Sequence, residues 1–346
     1  MKVLARNGRP ELMRLVYIVL TRACNLSCPF CVRGRSTGSA EHMSVSEAES
    51  VLRQVKDLFP EATVCLSGGE PTLHPEIIQI VSMARRLFSS VSIVSNGTRP
   101  EKIKELSLSP GLKYQISLDG TEPVHNRLRG QGSFKQTVES IRILIERGQP
   151  LTVSTTASED NVEDLGPTFD LLRQLGCTRW KVSQEVPGGD AYQRTDRHIH
   201  PHRWNAVINH LRKLTADWSG TLLSKTQFTF VGKNVDLDGA SPVELERMSC
   251  QAGIDRVYIY PDLSVIGCPL LIDHPLGNLN ESSLSQVFDG RARESLLNLG
   301  FPEGSPCHDC RWLSVCWGGC IGAALARTGS LGGGDPACPC VCTSWT

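Results

Sequence analysis

Six short apolar segments alternate with longer segments of helical periodicity over the first two thirds of the chain. A strand, a helix and another strand form the repeating unit of a parallel sheet that carries its helices on the outside. Ser44 and Glu47 add a capping-box pattern at the start of the first helix. The sequence therefore predicts an α/β fold with an open or partial (β/α)6 barrel. The predicted strands are 15–20, 63–66, 91–95, 114–118, 151–157 and 179–184.

The least ordinary motifs of the chain lie at the ends of four of these strands. The stretch 24–31 follows the first strand, 68–70 the second and Asn96 the third, while 117–119 closes the fourth. In barrels of this type the carboxyl ends of the strands and the loops after them build the active site. We therefore expect these four stretches to meet around one mouth.

Three cysteines in the first of these stretches have the spacing C-x3-C-x2-C: Cys24, Cys28 and Cys31. A closed structural zinc site takes four ligands, and a disulfide framework takes an even number of cysteines. Three thiolates instead suit an iron–sulfur cube with one iron left open. The alternative is three buried thiols, or thiols that share a zinc ion.

Charge and cysteine usage narrow the class of protein. The chain has 36 basic and 36 acidic residues, which argues against a nucleic-acid footprint or a basic membrane surface. The apolar run 15–20 is too short for a transmembrane helix or a signal peptide. The fourteen cysteines gather mainly near the start and after Cys250, which favours metal or cluster binding over disulfides. We expect a cytoplasmic protein.

The composition changes at Cys250, after which the chain is rich in turns and holds nine of the fourteen cysteines. Such a region cannot close a core by apolar burial alone, so bound clusters are expected to stabilise it. Structural zinc is the alternative. The sequence predicts a barrel over 1–218, a bridge over 219–249 and a small cysteine-rich domain over 250–346.

The cysteine loop, with an aromatic residue before its last cysteine, resembles the signature of the radical S-adenosylmethionine (SAM) enzymes. The resemblance implies that Cys24, Cys28 and Cys31 hold a 4Fe-4S cluster whose open iron binds SAM. Gly68, Gly69 and Glu70 would then bind the amino group of SAM. The remaining implied contacts, to the adenine, ribose or carboxylate, come from Phe30, Ser117, Asp119 and Arg129. An ordinary glycine turn and a surface arginine are the alternatives for these motifs.

The second cysteine group resembles the SPASM extension of radical SAM enzymes, which carries auxiliary iron–sulfur clusters. The ligands implied for one auxiliary cluster are Cys307, Cys310, Cys316 and Cys338. Those implied for part of the other are Cys250, Cys268 and Cys320. Many relatives have a further cysteine soon after the first of these, and none occurs in 251–257. This cluster would then keep an open iron, borrow Cys340 or Cys342, or be smaller than a cube.

A few side chains outside these motifs are further candidates for the active site or for packing in the core. Buried packing is the default interpretation of Cys65 and Cys177. Candidate hydrogen-atom donors to a substrate radical are Cys177, Cys340 and Cys342. Glu185, just beyond the sixth strand, is a candidate for the mouth of the barrel.

The resemblance implies reductive cleavage of SAM to a 5′-deoxyadenosyl radical, which removes a hydrogen from a C–H bond of the substrate. A reductase or a flavodoxin-type donor would supply the electron. Relatives often oxidise or cross-link ribosomally made peptides. Only about fourteen residues precede the first strand, so we expect a separate leader-peptide-binding protein or direct docking of the peptide.

Two other functions stay open at this point. One is an epimerase or dehydrogenase that acts on a small natural product, such as an aminoglycoside or a nucleoside sugar. The other is a non-enzymatic iron–sulfur or zinc protein, which would leave the stretch 68–70 without a role and would not cleave SAM.

Overall fold

The computed structural model describes residues 13–34, 41–224 and 250–342, and ten strands occur in this part of the chain. Seven lie in the first region: β1 Leu15–Val19, β2 Thr63–Ser67, β3 Val91–Ser95, β4 Leu112–Ser117, β5 Leu151–Ala157, β6 Arg179–Gln184 and β7 Thr221–Leu223. Three lie in the second: β8 Arg256–Ile259, β9 Ser264–Ile266 and β10 Gly277–Asn278.

Twelve α-helices occur in the described residues. Seven accompany the first strands: α1 Val45–Leu58, α2 Ile77–Leu87, α3 Pro100–Leu106, α4 Glu122–Arg129, α5 Ser133–Glu146, α6 Leu165–Gln174 and α7 Pro201–Leu214. Five short helices follow: α8 Leu284–Phe288, α9 Arg291–Leu297, α10 Leu313–Cys316, α11 Ile321–Thr328 and α12 Pro339–Cys342. Among the residues described, none of these helices has the length and apolarity to cross a bilayer.

All ten strands belong to one sheet, in the order β10-β9-β8-β1-β2-β3-β4-β5-β6-β7. The strands β1 to β7 are parallel neighbours in sequence order, as expected of consecutive strand–helix–strand units. The predicted partial barrel is confirmed. The strand β7 was not predicted, since it falls just inside the stretch interpreted as a bridge.

Burial alternates along β3, β4 and β5 and separates the core from the inside of the barrel. In β4, Leu112, Tyr114 and Ile116 are buried, while the residues between them are more exposed and polar. The buried set packs under the helices, where α1 begins with the predicted capping box: the Glu47 N–H donates to Ser44 Oγ at 3.2 Å, and the Ser44 N–H donates to the Glu47 carboxylate at 2.7 Å. The polar set faces the barrel interior and reaches the mouth at Ser117.

The C-terminal region continues the sheet of the barrel. The strand β8 pairs in parallel with β1, and β9 and β10 add two antiparallel strands at that edge. Pairing between residues about 240 positions apart leaves no local signal in a sequence, and β8 has only four residues. The boundaries 1–218, 219–249 and 250–346 stay predictions.

Replacing Ile259 of β8 with alanine tests how firmly this region is joined to the barrel. Ile259 is fully buried and lies in register with Ile18 of β1. Truncation of a buried isoleucine typically costs about 2–5 kcal/mol, so we expect the free energy of unfolding to fall by about that amount. Urea unfolding followed by circular dichroism measures the change.

The matched control is Leu108→Ala, because the Leu108 side chain is 71% exposed. We expect the control to change the free energy of unfolding by less than about 0.5 kcal/mol. A wild-type unfolding midpoint for Ile259→Ala would show that β8 contributes nothing to the cooperative unit.

Candidate active site

A cavity of about 370 Å³ lies at the carboxyl ends of the parallel strands. It is lined by residues from the ends of β1, β3, β4 and β5, from the loops after β1, β2 and β6, and by Tyr260 after β8. The four stretches expected at one mouth therefore do meet. The predicted site residues that line the cavity are Cys24, Cys28, Phe30, Cys31, Gly68, Gly69, Asn96, Ser117 and Arg129.

The three cysteines of the first loop sit together on the cavity wall as free thiols. Burial raises the pKa of the Cys24 thiol and raises that of Cys28 to about 11. Thiolates form at such positions when a bound cation replaces the proton. Three thiols on one wall therefore fit a cluster that leaves one iron open to a ligand.

Asn25 fixes the cysteine loop to the end of β3. Its side-chain Nδ2 donates to Thr98 Oγ1 at 2.8 Å, and Asn96 Nδ2 donates to Asn25 Oδ1 at 3.0 Å. These bonds involve the residue immediately after Cys24, so the loop is held before any cluster binds. Asn25 is a positioning residue that the spacing of the cysteines does not reveal.

Gly68 and Gly69 allow the turn after β2 to touch the cysteine loop. The Gly69 N–H donates to Thr21 O, and the Glu70 N–H donates to Ala23 O, each at 2.8 Å. A Cβ atom on Gly69 would lie 2.3 Å from the Ala23 carbonyl oxygen. Close backbone approach therefore requires glycine here, independently of any bound ligand.

Glu70 lies behind the cavity wall and not on it, and its predicted role toward the amino group of SAM stays a prediction. The fully buried carboxylate accepts hydrogen bonds from Thr72, from Ser95 Oγ at 2.8 Å and from the Asn96 N–H at 2.7 Å. Burial raises the pKa of Glu70, and these donors oppose the rise. The side chain thus ties the end of β2 to the end of β3.

Arg129 reaches the cavity from the end of α4 and is held by Asp119. Its Nε donates to Asp119 Oδ2, and Asp119 Oδ1 accepts from the Thr156 N–H at 2.8 Å. The guanidinium lies 5.4 Å from the centre of the Phe30 ring. Asp119 is fully buried and does not line the cavity, where it orients Arg129 from behind the wall; its contact with SAM stays a prediction.

His125 completes the support of this turn. Its Nδ1 accepts a hydrogen bond from the Asp119 N–H at 3.1 Å, and the imidazole is fully buried. Burial, helped by the neighbouring Arg129, lowers the pKa of His125 to about 4. The ring is therefore neutral at physiological pH and acts as an acceptor toward the backbone.

The loop after β6 covers one side of the cysteine loop. The Asp190 N–H donates to Cys31 O at 2.9 Å, and Ala191 packs against Phe30. Asp190 lines the cavity, although no motif in the sequence marks it. Glu185, a candidate for the mouth, is instead buried and accepts a hydrogen bond from Arg194 Nε at 3.1 Å.

Two groups of cysteines occur in the C-terminal region. One lines a small pocket beside α10 and α12, and its members are Cys307, Cys310, Cys316, Cys338 and Cys340. The other brings together Cys250, Cys268 and Cys320, whose thiols influence one another electrostatically. In the described part of the chain no three His, Cys, Asp or Glu side chains converge on a point that a single ion would occupy. The grouping matches the two ligand sets implied by the resemblance.

The structure also places Cys340 and Cys177, two cysteines that belong to neither implied ligand set. Cys340 lies with the five-cysteine pocket, so it is not placed to complete the three-cysteine group. Cys177 is 4% exposed within the main core, away from the cavity, where burial raises its pKa to about 12. This position agrees with buried packing, and the role of Cys177 as a hydrogen donor stays a prediction. The side chain of Cys342 lies outside what the structure describes.

Comparisons with known proteins agree with this site. Residues 18–172 match the model of the Radical SAM superfamily. The chain is 26% identical to the AdoMet-dependent heme synthase of Methanosarcina barkeri, over 94% of this chain and 96% of the relative. It is 27% identical to the PqqA peptide cyclase of Gluconobacter oxydans, over 92% of this chain and 88% of that relative. The fold is that of Streptococcus suis SuiB bound to S-adenosylmethionine, with a TM-score of 0.79 at 17% identity, covering 96% of this chain and 79% of that one.

A three-thiol loop at the mouth of a partial barrel, together with the family match, identifies residues 18–172 as a radical SAM domain, and the protein is an enzyme. The cysteine-rich region that follows this domain resembles the SPASM extension of such enzymes.

Replacing Gly69 with alanine tests the contact between the turn after β2 and the cysteine loop. The added Cβ must push away the Ala23 carbonyl, and with it the backbone next to Cys24. We expect anaerobically reconstituted Gly69→Ala to lose about four irons, the content of one cubane cluster. Iron analysis and ultraviolet–visible absorption measure the loss.

Gly166→Ala is the matched control, because a Cβ at Gly166 in α6 meets nothing within 4 Å. The control should retain the wild-type iron content. A full complement of iron in Gly69→Ala would mean that the cysteine loop tolerates displacement at this point.

Proposed function

We propose that this protein oxidises or cross-links a ribosomally made peptide by radical SAM chemistry. The observation that carries the proposal is one cavity shared by the three-thiol loop, the glycine turn after β2 and a buried arginine. The relative named as a peptide cyclase supports the peptide substrate, as does a SuiB structure described as bound to the precursor peptide SuiA. The relative named as a heme synthase supports a small-molecule substrate as the second candidate.

Each wall of the cavity has a proposed task toward SAM. Cys24, Cys28 and Cys31 would hold the cluster, and the backbone at Gly69, which contacts the cysteine loop, would bind the amino group. Arg129 offers a planar pair of donors to the carboxylate, since Asp119 fixes its orientation. When bound, the cluster and SAM supply a one-electron cleavage that ends in removal of a substrate hydrogen.

The protein's own contribution is orientation and exclusion of water. Phe30 forms an apolar patch with Leu128 and Ala191 at the edge of the cavity, next to the guanidinium of Arg129. An aromatic ring in this position presents a flat face to an adenine. The loop after β6 covers the same patch and limits access of solvent to the cysteine loop.

The two C-terminal cysteine groups are proposed to hold auxiliary iron–sulfur clusters that accept the second electron of an oxidation. Five thiols in one group satisfy a cubane cluster and leave one thiol over, whereas three in the other leave one iron open. A reductase or flavodoxin-type donor supplies the first electron. A separate protein that binds a leader peptide is the proposed further partner.

Iron counting and a 5′-deoxyadenosine assay test the enzyme assignment. Wild type, reconstituted anaerobically and reduced with dithionite, should hold about twelve irons, as three cubane clusters require, or fewer if the first auxiliary cluster is incomplete. A variant with Cys24, Cys28 and Cys31 all changed to alanine should lose about four irons and all cleavage of SAM.

Cys177→Ala is the control, because this cysteine lies in the core, away from both cysteine groups and from the cavity. It should keep both the iron content and the cleavage of SAM. Zinc in place of iron, or no 5′-deoxyadenosine from fully loaded wild type, would contradict the radical-enzyme assignment.

The mass of the product distinguishes the two candidate functions. A peptide encoded beside the gene should lose about two hydrogens, or 2 Da, per cross-link or oxidation, and tandem mass spectrometry should locate the change on one residue or residue pair. Unchanged mass with uptake of deuterium from solvent would indicate epimerisation. Turnover of a small molecule with no change in any such peptide would favour the second candidate.

A further inference from the structure

Two residues without an assigned task lie on the wall of the active-site cavity. Arg33 follows the last cysteine of the loop by two positions, and Tyr260 follows β8 directly. Burial raises the pKa of Tyr260, and the positive charge of Arg33 opposes this rise. The two side chains are therefore neighbours. Neither residue is among those implied to touch SAM.

Arg33 differs from the other two arginines of this cavity in its charge balance. Arg129 is paired with Asp119, and Arg22 is paired with Glu41 at 2.7 Å and also with Asp262. Within residues 13–34, 41–224 and 250–342, no carboxylate lies within ion-pair distance of Arg33. Its Nη2 donates to the neutral Ser67 Oγ at 3.2 Å.

Two buried donors at this place also lack an acceptor. Arg33 interacts with the phenol oxygen of Tyr260, but among the described residues no acceptor lies within hydrogen-bond distance of Arg33 Nε or of the Tyr260 O–H. The Tyr260 side chain is 2% exposed, so bulk water does not satisfy the hydroxyl. Buried polar groups are normally paired, and an unpaired one commonly marks a place where a ligand completes the bonding.

We propose that Arg33 and Tyr260 form a subsite for a carboxylate of the substrate. A carboxylate has two oxygens, which suit a guanidinium and a phenol O–H side by side, and its charge balances Arg33. In a peptide the group is an acidic side chain or a free carboxyl terminus. This inference rests on the proposed function, because it assumes that the substrate enters the cavity that binds SAM.

Matched pairs of small probes test the subsite on reconstituted, SAM-loaded enzyme. N-acetylglutamate α-amide and N-acetylglutamine α-amide differ only in a side-chain charge, while N-acetylalanine and its amide differ only at the terminus. We expect one acid to bind about tenfold or more tightly than its amide, as measured by isothermal titration calorimetry. The pair that shows the difference identifies the source of the carboxylate.

Variants assign the preference to the two residues. Arg33→Gln should abolish the difference between acid and amide, Arg33→Lys should restore part of it, and Tyr260→Phe should reduce it severalfold. Arg53→Gln, which removes an exposed arginine of α1, is the control and should retain the full preference. Iron content and SAM affinity are measured on every variant.

Three outcomes would overturn the subsite. They are equal binding of acids and amides by wild type, a preference that survives Arg33→Gln, and loss of SAM affinity or of iron in Arg33→Gln alongside the lost preference. The last outcome would assign Arg33 to SAM or to the cluster instead. Because 5′-deoxyadenosine formation by wild type is measured separately, failure of the subsite and failure of the proposed function give different results.

Discussion

Contact between the cysteine loop and the turn after β2 is the interaction on which the site depends. Two backbone hydrogen bonds make it, and Gly69 permits it because any side chain there would meet the Ala23 carbonyl. Glu70 then joins this turn to β3, because its buried carboxylate accepts hydrogen bonds from residues at the end of that strand. A buried carboxylate is costly unless it is fully bonded, so this part of the barrel has little freedom to rearrange.

A second buried acid has the same role at the end of β4. Asp119, at the end of β4, is also buried, and it accepts from Arg129 and from the Thr156 N–H of β5. In both cases an acid behind the cavity wall fixes a group on the wall. The site is therefore preorganised by two buried acids behind its wall, and the lining of the cavity includes thiols, backbone, three arginines and two aromatic rings.

The sequence predicts the barrel well because each of its strands is a short apolar run next to a clear helix. It also places the motifs at one mouth, since the carboxyl ends of parallel strands share an edge. It does not distinguish a carboxylate that faces the cavity from one that faces away, so the burial of Glu70 and Asp119 behind the wall could not be predicted. Arg33 and the β8 pairing carry no local pattern at all, because their significance arises from residues distant in the chain.

The C-terminal region contributes to the active-site cavity because its strands continue the sheet of the barrel. The strand β8 delivers Tyr260 to the cavity, and β9 returns antiparallel to it and ends two residues before Cys268. The β8–β9 hairpin thus joins a wall of the active site to Cys268, a member of the three-cysteine group with Cys250 and Cys320. Ordering of that group by a cluster would restrain the same hairpin that presents Tyr260. The C-terminal region is consequently part of the active-site wall as well as the region proposed to hold auxiliary clusters, and its loss would remove a wall of the cavity.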